Sequence, residues 1–451
     1  MKSKKSLFKF ALFKVTAAVT FAGMSTSALS QTTNMRELRN LPASVTATPY
    51  MPFLSRESRE RELSVRTRTS PSYDPQNVRI GEVIFAPSLK TFTEYTDNVY
   101  GTDDNRSDDM LLGVRPELNV NSDLPLHQIS ANFYVEDGNY KEIKEEDYTD
   151  YGASLNARYD FYQGLSLPVS IGFIQQHSIR DNPEDRRSID PVVSRVLNSY
   201  IGIRKSGDYV DMSLGTAFQS SKFENTTSFA GTPIDNSDRD RQVVINTATI
   251  GFPVTSIVAP LLYASQKTTT YDQSVDNFGI SRDSEDIEVG FGALFNITPV
   301  TKSSFRLGKV MREFDDPAAD EIDALTYTLN LNWEPSTLAA FSLTGDRKIR
   351  ETSSTAGANL ESTVKLGMIY ELSPNVILNP EIGYIKNEYM EFSEGETTAM
   401  TADMEVIYKL NPNVWTTLEY SGVTQEIEDT DTFDNEGYAR NMVRLSLKLQ
   451  L

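Results

Sequence analysis

The nine residues VRLSLKLQL at positions 443–451 decide the fold class of this chain. Apolar residues occupy every odd position of the stretch, and Arg444, Ser446, Lys448 and Gln450 lie between them. Successive side chains of a β-strand point to opposite faces, so this stretch would have one apolar and one polar face. The 3.6-residue period of a helix cannot place apolar residues at every second position. We therefore predict an amphipathic strand.

The same alternation recurs along the chain. It runs through residues 151–161, 325–333 and 400–410 almost without interruption. Amphipathic strands of this kind occur in membrane barrels and also in soluble β-sandwiches, where the apolar face packs on a second sheet. The mean hydropathy of −0.38 does not separate the two classes, because a barrel strand carries polar residues at half of its positions.

The lengths of the connections separate the two classes. Pro299, Pro335, Pro374 and Pro412 lie in short connections and follow one another at intervals of 36, 39 and 38 residues, which indicates a repeated hairpin. The predicted short turns are residues 162–164, 205–208, 252–254, 298–300, 334–336, 373–375 and 411–413. The predicted long, acidic loops include residues 97–109, 142–150, 224–240, 315–323 and 426–436. Short turns on one rim and long loops on the other are typical of a transmembrane barrel.

The sequence therefore predicts an all-β fold, a transmembrane antiparallel up-and-down β-barrel over residues 80–451. Its short turns are expected in the periplasm and its long acidic loops outside the cell. About eighteen strands, paired as nine hairpins, fit between Gly81 and Leu451. Residues 191–204 and 254–270 show no clear alternation, so a count of sixteen strands is left open.

Residues 1–30 are predicted to be a signal peptide. Five lysines lead into an apolar run at residues 15–24, which is too short to span a bilayer as a helix of about 20 residues. Small residues at Ala28 and Ser30 predict cleavage before Gln31 and export to a Gram-negative outer membrane. Residues 31–79, with eight arginines and no lysine, are predicted to be a flexible periplasmic leader. Alternatively, this basic segment enters the lumen or docks on a periplasmic partner.

Charge and cysteine content exclude a nucleic-acid partner and two cysteine-based features. The formal net charge of −20 becomes −25 when the five lysines of the signal peptide are removed. A protein this acidic does not neutralise phosphates, so we expect no nucleic-acid partner. The chain contains no cysteine, which excludes a disulfide scaffold and a thiolate metal site.

The sequence offers no constellation for catalysis. Its two histidines are His127, beside a predicted turn at residues 123–126, and His177, near the opposite rim. A histidine-based triad or a two-histidine metal site is therefore not expected, although Asp181 or Glu184 could pair with His177. No phosphate-binding loop, dinucleotide motif, zinc motif or calcium loop is present in the sequence. We predict no enzyme activity, no cofactor and no metal site.

Charged residues at the inward positions of the strands predict a polar lumen. An arginine or lysine facing lipid near the midplane would cost about 2–4 kcal/mol, so these residues must face water or one another. They form either a network of ion pairs that fills the wall or the lining of a hydrated channel, which eighteen strands are wide enough to leave open. The candidate lumen-lining residues are Lys90, Arg115, Glu117, Glu136, Arg158, Asp160, Asp211, Glu288, Arg306, Asp346, Lys348, Arg350, Lys365, Glu381, Asp403, Glu405, Glu419, Arg444 and Lys448.

Aromatic residues predict two interfacial girdles, where rings lie at the level of the lipid headgroups. Phe161, Phe252, Phe295 and Trp333 fall beside short turns. Tyr95, Tyr384 and Tyr420 approach the opposite rim. The alternating C-terminal strand is similar to the assembly signal of outer-membrane barrels, with Leu451 in place of the more usual terminal aromatic residue. We therefore expect altered recognition by the barrel-assembly machinery.

Several segments resemble one known family. They are residues 95–102 (YTDNVYGT), 108–109 (DD), 114–118 (VRPEL), 147–151 (DYTDY) and 156–160 (NARYD). These segments are similar to the putative beta-barrel porin 2 family, and the resemblance covers residues 80–451. It implies an outer-membrane barrel of a kind often encoded with exopolysaccharide or capsule synthesis genes. It further implies an exit for a polymer that works with a periplasmic polysaccharide export protein. No catalytic residues are carried over.

Three functions remain open on the sequence. The first is a porin-like conduit for export of an extracellular or capsular polysaccharide, and the second is a general diffusion porin for small polar solutes. The third is a structural or surface-interaction barrel. Expected partners are outer-membrane lipid and lipopolysaccharide, the barrel-assembly machinery, a periplasmic polysaccharide export protein and the polysaccharide itself.

Overall fold

The computed structural model describes residues 65–66, 70–180, 186, 188–352, 356–390, 395–428 and 437–451. Three short 3-10 helices span Lys144–Glu146, Tyr162–Gly164 and Ser237–Arg239. No helix among the described residues is long and apolar enough to cross a membrane. The strands are β1 (Val78–Ile80), β2 (Val83–Thr96), β3 (Asp109–Ser122), β4 (Gln128–Tyr140), β5 (Tyr148–Asp160), β6 (Leu165–His177), β7 (Val193–Lys205), β8 (Asp211–Phe223), β9 (Thr226–Thr227), β10 (Pro233–Ile234), β11 (Arg241–Gly251), β12 (Val258–Tyr271), β13 (Ser284–Thr298), β14 (Thr301–Phe314), β15 (Ile322–Ser336), β16 (Ala339–Arg350), β17 (Ala358–Ser373), β18 (Val376–Met390), β19 (Gly395–Asn411), β20 (Val414–Glu428) and β21 (Gly437–Gln450).

Eighteen long strands close into one antiparallel barrel. Each of β2–β8 and β11–β21 pairs with its neighbour in the chain, and β8 pairs directly with β11. The first and last long strands, β2 and β21, also pair, with Leu89 opposite Leu449, so the sheet has no free edge among them. The short β1 pairs with β2, and β9 and β10 form a separate two-stranded piece within one loop.

The predicted eighteen-stranded barrel is confirmed, and the alternative of sixteen strands is wrong. The two ambiguous regions contain β7 and β12, whose alternation is weakened by inward apolar residues such as Val196 and Leu261. One predicted turn is misplaced: residues 334–336 belong to β15, and the turn follows at residues 337–338. The register of β15 shifts between Trp333 and Ser336, as it does beside three other short turns, and this bulge carries the strand past Pro335.

The two faces of the wall differ as the alternation requires. In β21, Val443, Leu445 and Leu447 are exposed on the outer face, and Arg444 and Ser446 are buried on the inner face. Six of the seven predicted girdle residues have exposed rings: Tyr95, Phe161, Phe252, Trp333, Tyr384 and Tyr420. The seventh, Phe295, is half-buried. The exposed apolar face is suited to lipid, since a water-facing wall would not leave such a belt uncovered.

Several inner-face aromatic rings lie flat over glycines of a neighbouring strand. The ring of Tyr134 in β4 covers Gly152 in β5, and the ring of Tyr148 in β5 covers Gly138 in β4. The guanidinium of Arg115 lies over Tyr134, 4.0 Å from the ring centroid. A glycine in a strand often marks a close approach of this kind. These contacts fix the arginine side chains against the inner wall.

Replacing Gly152 by alanine should destabilise the barrel by about 1–3 kcal/mol, as expected for overpacking. The added Cβ would lie 2.6 Å from Cε1 of Tyr134, which is held from the other side by Arg115. Gly172→Ala in β6 is the matched control, because its Cβ would meet nothing closer than Ser154 Cβ at 3.7 Å. Urea unfolding in lipid vesicles measures the difference. Equal midpoints for the two variants would contradict the packing argument.

The outer end of the β16–β17 hairpin separates from β15, while β17 stays paired with β18 as far as Ala358 and Met390. Pairing of β15 with β16 ends at Tyr327 and Arg347, whereas pairing of β16 with β17 continues to Arg350 and Asn359. Leu360 stands at an outward position of β17, yet only 2% of it is exposed. It packs in one cluster with Val310 and Ala324, which are inward-facing residues of β14 and β15, and with Ile349 and Met390 at its edge. The end of the hairpin therefore lies inside the barrel.

Candidate functional site: the barrel interior

All nineteen candidate lumen residues lie in barrel strands at inward positions, and Lys348 and Arg350 belong to the end of β16 that has separated from β15. None of the nineteen is exposed, and Arg115, Glu136, Asp211, Asp403 and Arg444 are buried. Their alternation with exposed apolar neighbours places them on one face, as the parity of each strand predicts. That these residues line a water-filled path stays a prediction.

Many of these residues form short ion pairs along the wall. Cross-strand or same-face pairs join Lys90 to Glu419 at 3.0 Å, Arg115 to Glu136 at 3.0 Å, Arg158 to Asp160 at 3.0 Å, Lys348 to Asp346 at 2.5 Å, Arg350 to Glu361 at 2.9 Å and Arg444 to Glu94 at 2.8 Å. Glu94 and Glu361 were absent from the predicted set, although they have the same parity as Lys90 and Lys365. A stricter reading of parity would have found both.

Carboxylates gather on the inner face of β18–β20. Glu381 stands directly opposite Asp403, and Glu405 directly opposite Glu419. Like charges at opposed positions repel, which makes this arrangement costly. Asn379 donates a hydrogen bond to Glu405 at 3.0 Å, and Lys90 pairs with Glu419. This side of the interior is consequently more acidic than its neighbours.

A pocket of about 80 Å³ opens on the inner face of β2–β6 and β21, near the long loops. Tyr134, Tyr140 and Tyr148 contribute rings to its lining. The hydroxyl of Tyr148 donates to Glu136 at 2.9 Å. In the loop above, the buried Arg180 binds Glu146 at 2.6 Å. The pocket is therefore lined by fixed hydrogen-bonding groups on the side of the barrel facing the in-folded hairpin.

A second buried cluster lies on the opposite side and holds the hairpin. Arg312 in β14 is fully buried and binds Asp286 in β13 at 2.6 Å and Glu351 at 2.7 Å. Glu351 follows β16 in the connection to β17, and it also binds Lys267 in β12 at 2.5 Å. Burial alone would raise the pKa of Glu351, but the charges of Arg312 and Lys267 outweigh it and hold that pKa well below its ordinary value. Glu351 is thus a carboxylate at neutral pH.

Sequence reasoning missed this cluster for two different reasons. Asp286 and Arg312 have the same parity as the predicted Glu288 and Arg306, so alternation could have found them. Glu351 lies outside any strand, and no sequence pattern places it beside Arg312.

The histidines lie at opposite rims. His127 stacks on Tyr159 with ring centroids 3.9 Å apart, and its Nδ1 accepts a hydrogen bond from the backbone N–H of Asp160. His177 stacks on Tyr148 and its Nδ1 lies 2.8 Å from Asp150. The candidate partners Asp181 and Glu184 lie outside the described residues. No cluster of metal-ligating side chains occurs within the described ranges.

The segment before the barrel is tied to the short-turn rim. Lys409 binds Asp74 at 2.7 Å, and the indole N–H of Trp415 donates to the carbonyl of Tyr73 at 2.9 Å. The backbone N–H of Asn77 donates to the carbonyl of Leu451. Most of the leader at residues 31–79, and all of the signal peptide, lie outside the described residues, so those boundaries stay predictions.

Comparison with known protein families identifies one match. A family model described as putative beta-barrel porin 2 matches residues 70–451. No curated protein matches the chain. Among solved structures, Pseudomonas aeruginosa OpdL is 12% identical, with 82% of this chain and 100% of that chain covered and a TM-score of 0.42. Acinetobacter baumannii OccAB4 is 14% identical, with 83% and 99% covered and a TM-score of 0.43.

Proposed function

The chain belongs to the putative beta-barrel porin 2 family of outer-membrane barrels, and we propose that it is a pore for small polar solutes. The observation that carries this proposal is the contrast between the two faces of the wall. Apolar side chains cover the outer face, and paired charges line the inner face of most strands. Charges of both signs on an inner wall interact with water and with polar solutes, whether the solute is an anion, a cation or neutral.

The in-folded hairpin favours small solutes over large ones. The end of β16–β17 occupies part of an interior that eighteen strands would otherwise leave wide. Its Glu351 and Leu360 are buried against the inner faces of β12, β14 and β15. A pore narrowed in this way would pass sugars, amino acids or small acids.

Reconstitution of the purified protein into planar lipid bilayers tests the proposal. We expect discrete, ohmic current steps in potassium chloride, together with uptake of small neutral sugars in a liposome-swelling assay. Protein that is correctly inserted, judged by its β-sheet circular dichroism and resistance to protease, yet conducts nothing would contradict it.

Export of a polysaccharide is the second candidate function. It is supported by the tyrosine, carboxylate and guanidinium groups around the pocket of Tyr134, Tyr140 and Tyr148, which can hydrogen-bond to sugar hydroxyls. Stacking of sugars on tyrosine rings gives this candidate little support, because the inner rings of Tyr134 and Tyr148 lie against glycines and several other tyrosines belong to the outer girdle.

Deletion of the gene separates the two candidates. Loss of surface polysaccharide with normal sugar uptake would favour export, and the reverse result would favour a diffusion pore. Export would also require a periplasmic polysaccharide export protein as a partner. Lipopolysaccharide and the barrel-assembly machinery are proposed partners under either function.

A further inference from the structure

We propose that the in-folded end of the β16–β17 hairpin is the constriction of the pore, and that Glu351 holds it in place. This inference rests on the proposed pore function and identifies the element that sets the solute size limit. It concerns the described residues 347–352 and 356–360. Three sets of contacts, on three parts of the inner wall, carry it.

The first contacts reach toward β12. A hairpin that continued straight in the wall would keep β16 four strand spacings from β12, about 19 Å at 4.8 Å per spacing. Glu351 nevertheless binds Lys267 of β12 at 2.5 Å, and the hydroxyl of Tyr271 lies 3.3 Å from the same carboxylate. Side chains of these lengths cannot bridge such a gap along the wall. The hairpin end must therefore cut across the interior.

The second contacts fix the backbone beyond Glu351. The guanidinium of Arg282, just before β13, donates to the carbonyl of Thr352 at 3.0 Å and to the carbonyl of Ala356 at 2.9 Å. Arg282 is itself held by Asp276 at 2.6 Å. One buried side chain thus binds both sides of the hairpin end at once.

The third contacts lie on the other side of the hairpin. Ala356 packs with Tyr389 of β18, an inward-facing residue, and Ile427 of β20 packs at the edge of the same cluster. The backbone N–H of Gly357 donates to the carbonyl of Met390 at 2.9 Å, which continues the β17–β18 ladder beyond Ala358. Together with the contacts to β12, β14 and β15, these contacts hold the hairpin end on both of its sides, with β20 at the edge of the second cluster.

The open passage is consequently confined to the part of the interior that the hairpin end leaves free. That part is bounded by β21, β2–β8 and β11 and includes the pocket of Arg115, Glu136 and Tyr148. A solute must pass between this wall and the hairpin. Anything that detaches the hairpin would widen the passage without altering the barrel wall.

Two matched variants of the same hairpin test this. Glu351→Gln removes the charge that joins the hairpin to Arg312 of β14 and Lys267 of β12. Glu361→Gln is the control, because Glu361 is also buried but pairs with Arg350 inside the hairpin. Single-channel conductance is measured in bilayers with neutral polyethylene glycols of increasing size. The size at which a polymer is excluded reports the width of the passage, because the polymer carries no charge.

We expect Glu351→Gln to admit larger polymers and to raise the single-channel conductance, with Glu361→Gln keeping the wild-type size limit. If the wild type conducts and both variants share its size limit, the constriction proposal is overturned. A wild type that does not conduct overturns the pore function instead.

A second measurement does not depend on conduction. Because the chain has no cysteine, Leu360→Cys introduces a single thiol at a position that is 2% exposed. Its labelling by a water-soluble maleimide should be slow in the wild-type and Glu361→Gln backgrounds. In the Glu351→Gln background the rate should rise at least about tenfold, equal to a shift of about 1.4 kcal/mol in the opening equilibrium. Equal rates in all three backgrounds would contradict the role of Glu351.

Discussion

Replacing Arg312 by alanine should cost the folded barrel about 3–5 kcal/mol, the effect of removing one partner from a buried ionic cluster. Arg312 is fully buried and lies between the carboxylates of Asp286 and Glu351. Without it, two carboxylates stay in the interior with only Lys267 between them, at 3.5 Å from Asp286 and 2.5 Å from Glu351. Their mutual repulsion and their lost hydration both favour unfolding.

Lys309→Ala on the same strand is the matched control for Arg312→Ala. Lys309 also pairs with a carboxylate, Asp323, at 2.8 Å, but both side chains are about half exposed. An exposed pair contributes less than about 1 kcal/mol, so its loss should hardly change the urea midpoint. Unfolding of both variants in lipid vesicles, followed by tryptophan fluorescence, measures the two effects. Equal midpoints would mean that the buried cluster does not stabilise the barrel.

A charge placed on the outer face should have a comparable effect through a different mechanism. Leu418 in β20 is exposed and lies near the middle of the outward apolar positions of its strand, opposite Leu445 of β21. Leu418→Arg should destabilise the inserted barrel by about 2–4 kcal/mol, because arginine near the midplane must be moved out of water into hydrocarbon.

The neighbouring residue provides the control for Leu418→Arg. Thr417 follows the inward parity of Glu419, so Thr417→Arg adds the same charge to the polar side of the same strand. We expect Thr417→Arg to insert and unfold nearly as the wild type does. The measurement is the fraction of protein that becomes protease-resistant on refolding into vesicles, followed by its urea midpoint. A larger loss for Thr417→Arg than for Leu418→Arg would reverse the assignment of the two faces.

These predictions concern the different environments of the two faces of the barrel wall. The Leu418 variant tests whether the outer face meets hydrocarbon, and the Arg312 variant tests how charges are accommodated on the inner face. The proposed pore requires both conditions, since a barrel without a lipid-facing belt would not insert and an interior without paired charges would not be polar.

Local patterning was sufficient to predict most of the fold. In a strand, each side chain alternates between two faces, so the segments 151–161, 325–333, 400–410 and 443–451 reveal both their conformation and their orientation. The sorting of short and long connections then predicts the barrel and its two rims. The errors occurred where a bulge carries a strand past its proline, as in β15, and where inward apolar residues weaken the alternation, as in β12.

Parity also located the charged inner face, and it could have located Glu94, Asp286, Arg312 and Glu361 as well. It could not identify the partners of these charges. Cross-strand partners depend on register, and register depends on the lengths of all intervening turns and loops.

What the sequence by itself determined, then, is which side of the wall each strand residue faces, because that depends only on the residue's own position in a two-residue repeat. Only the tertiary structure decided that the end of β16–β17 folds into the interior and that Glu351 meets Arg312 and Lys267. That arrangement joins Glu351, in the connection after β16, to residues 39 and 84 positions earlier in the chain, on strands that are not neighbours of β16 in the sheet. It depends on the closure of the whole barrel, which brings β12, β14 and the hairpin within reach across the lumen.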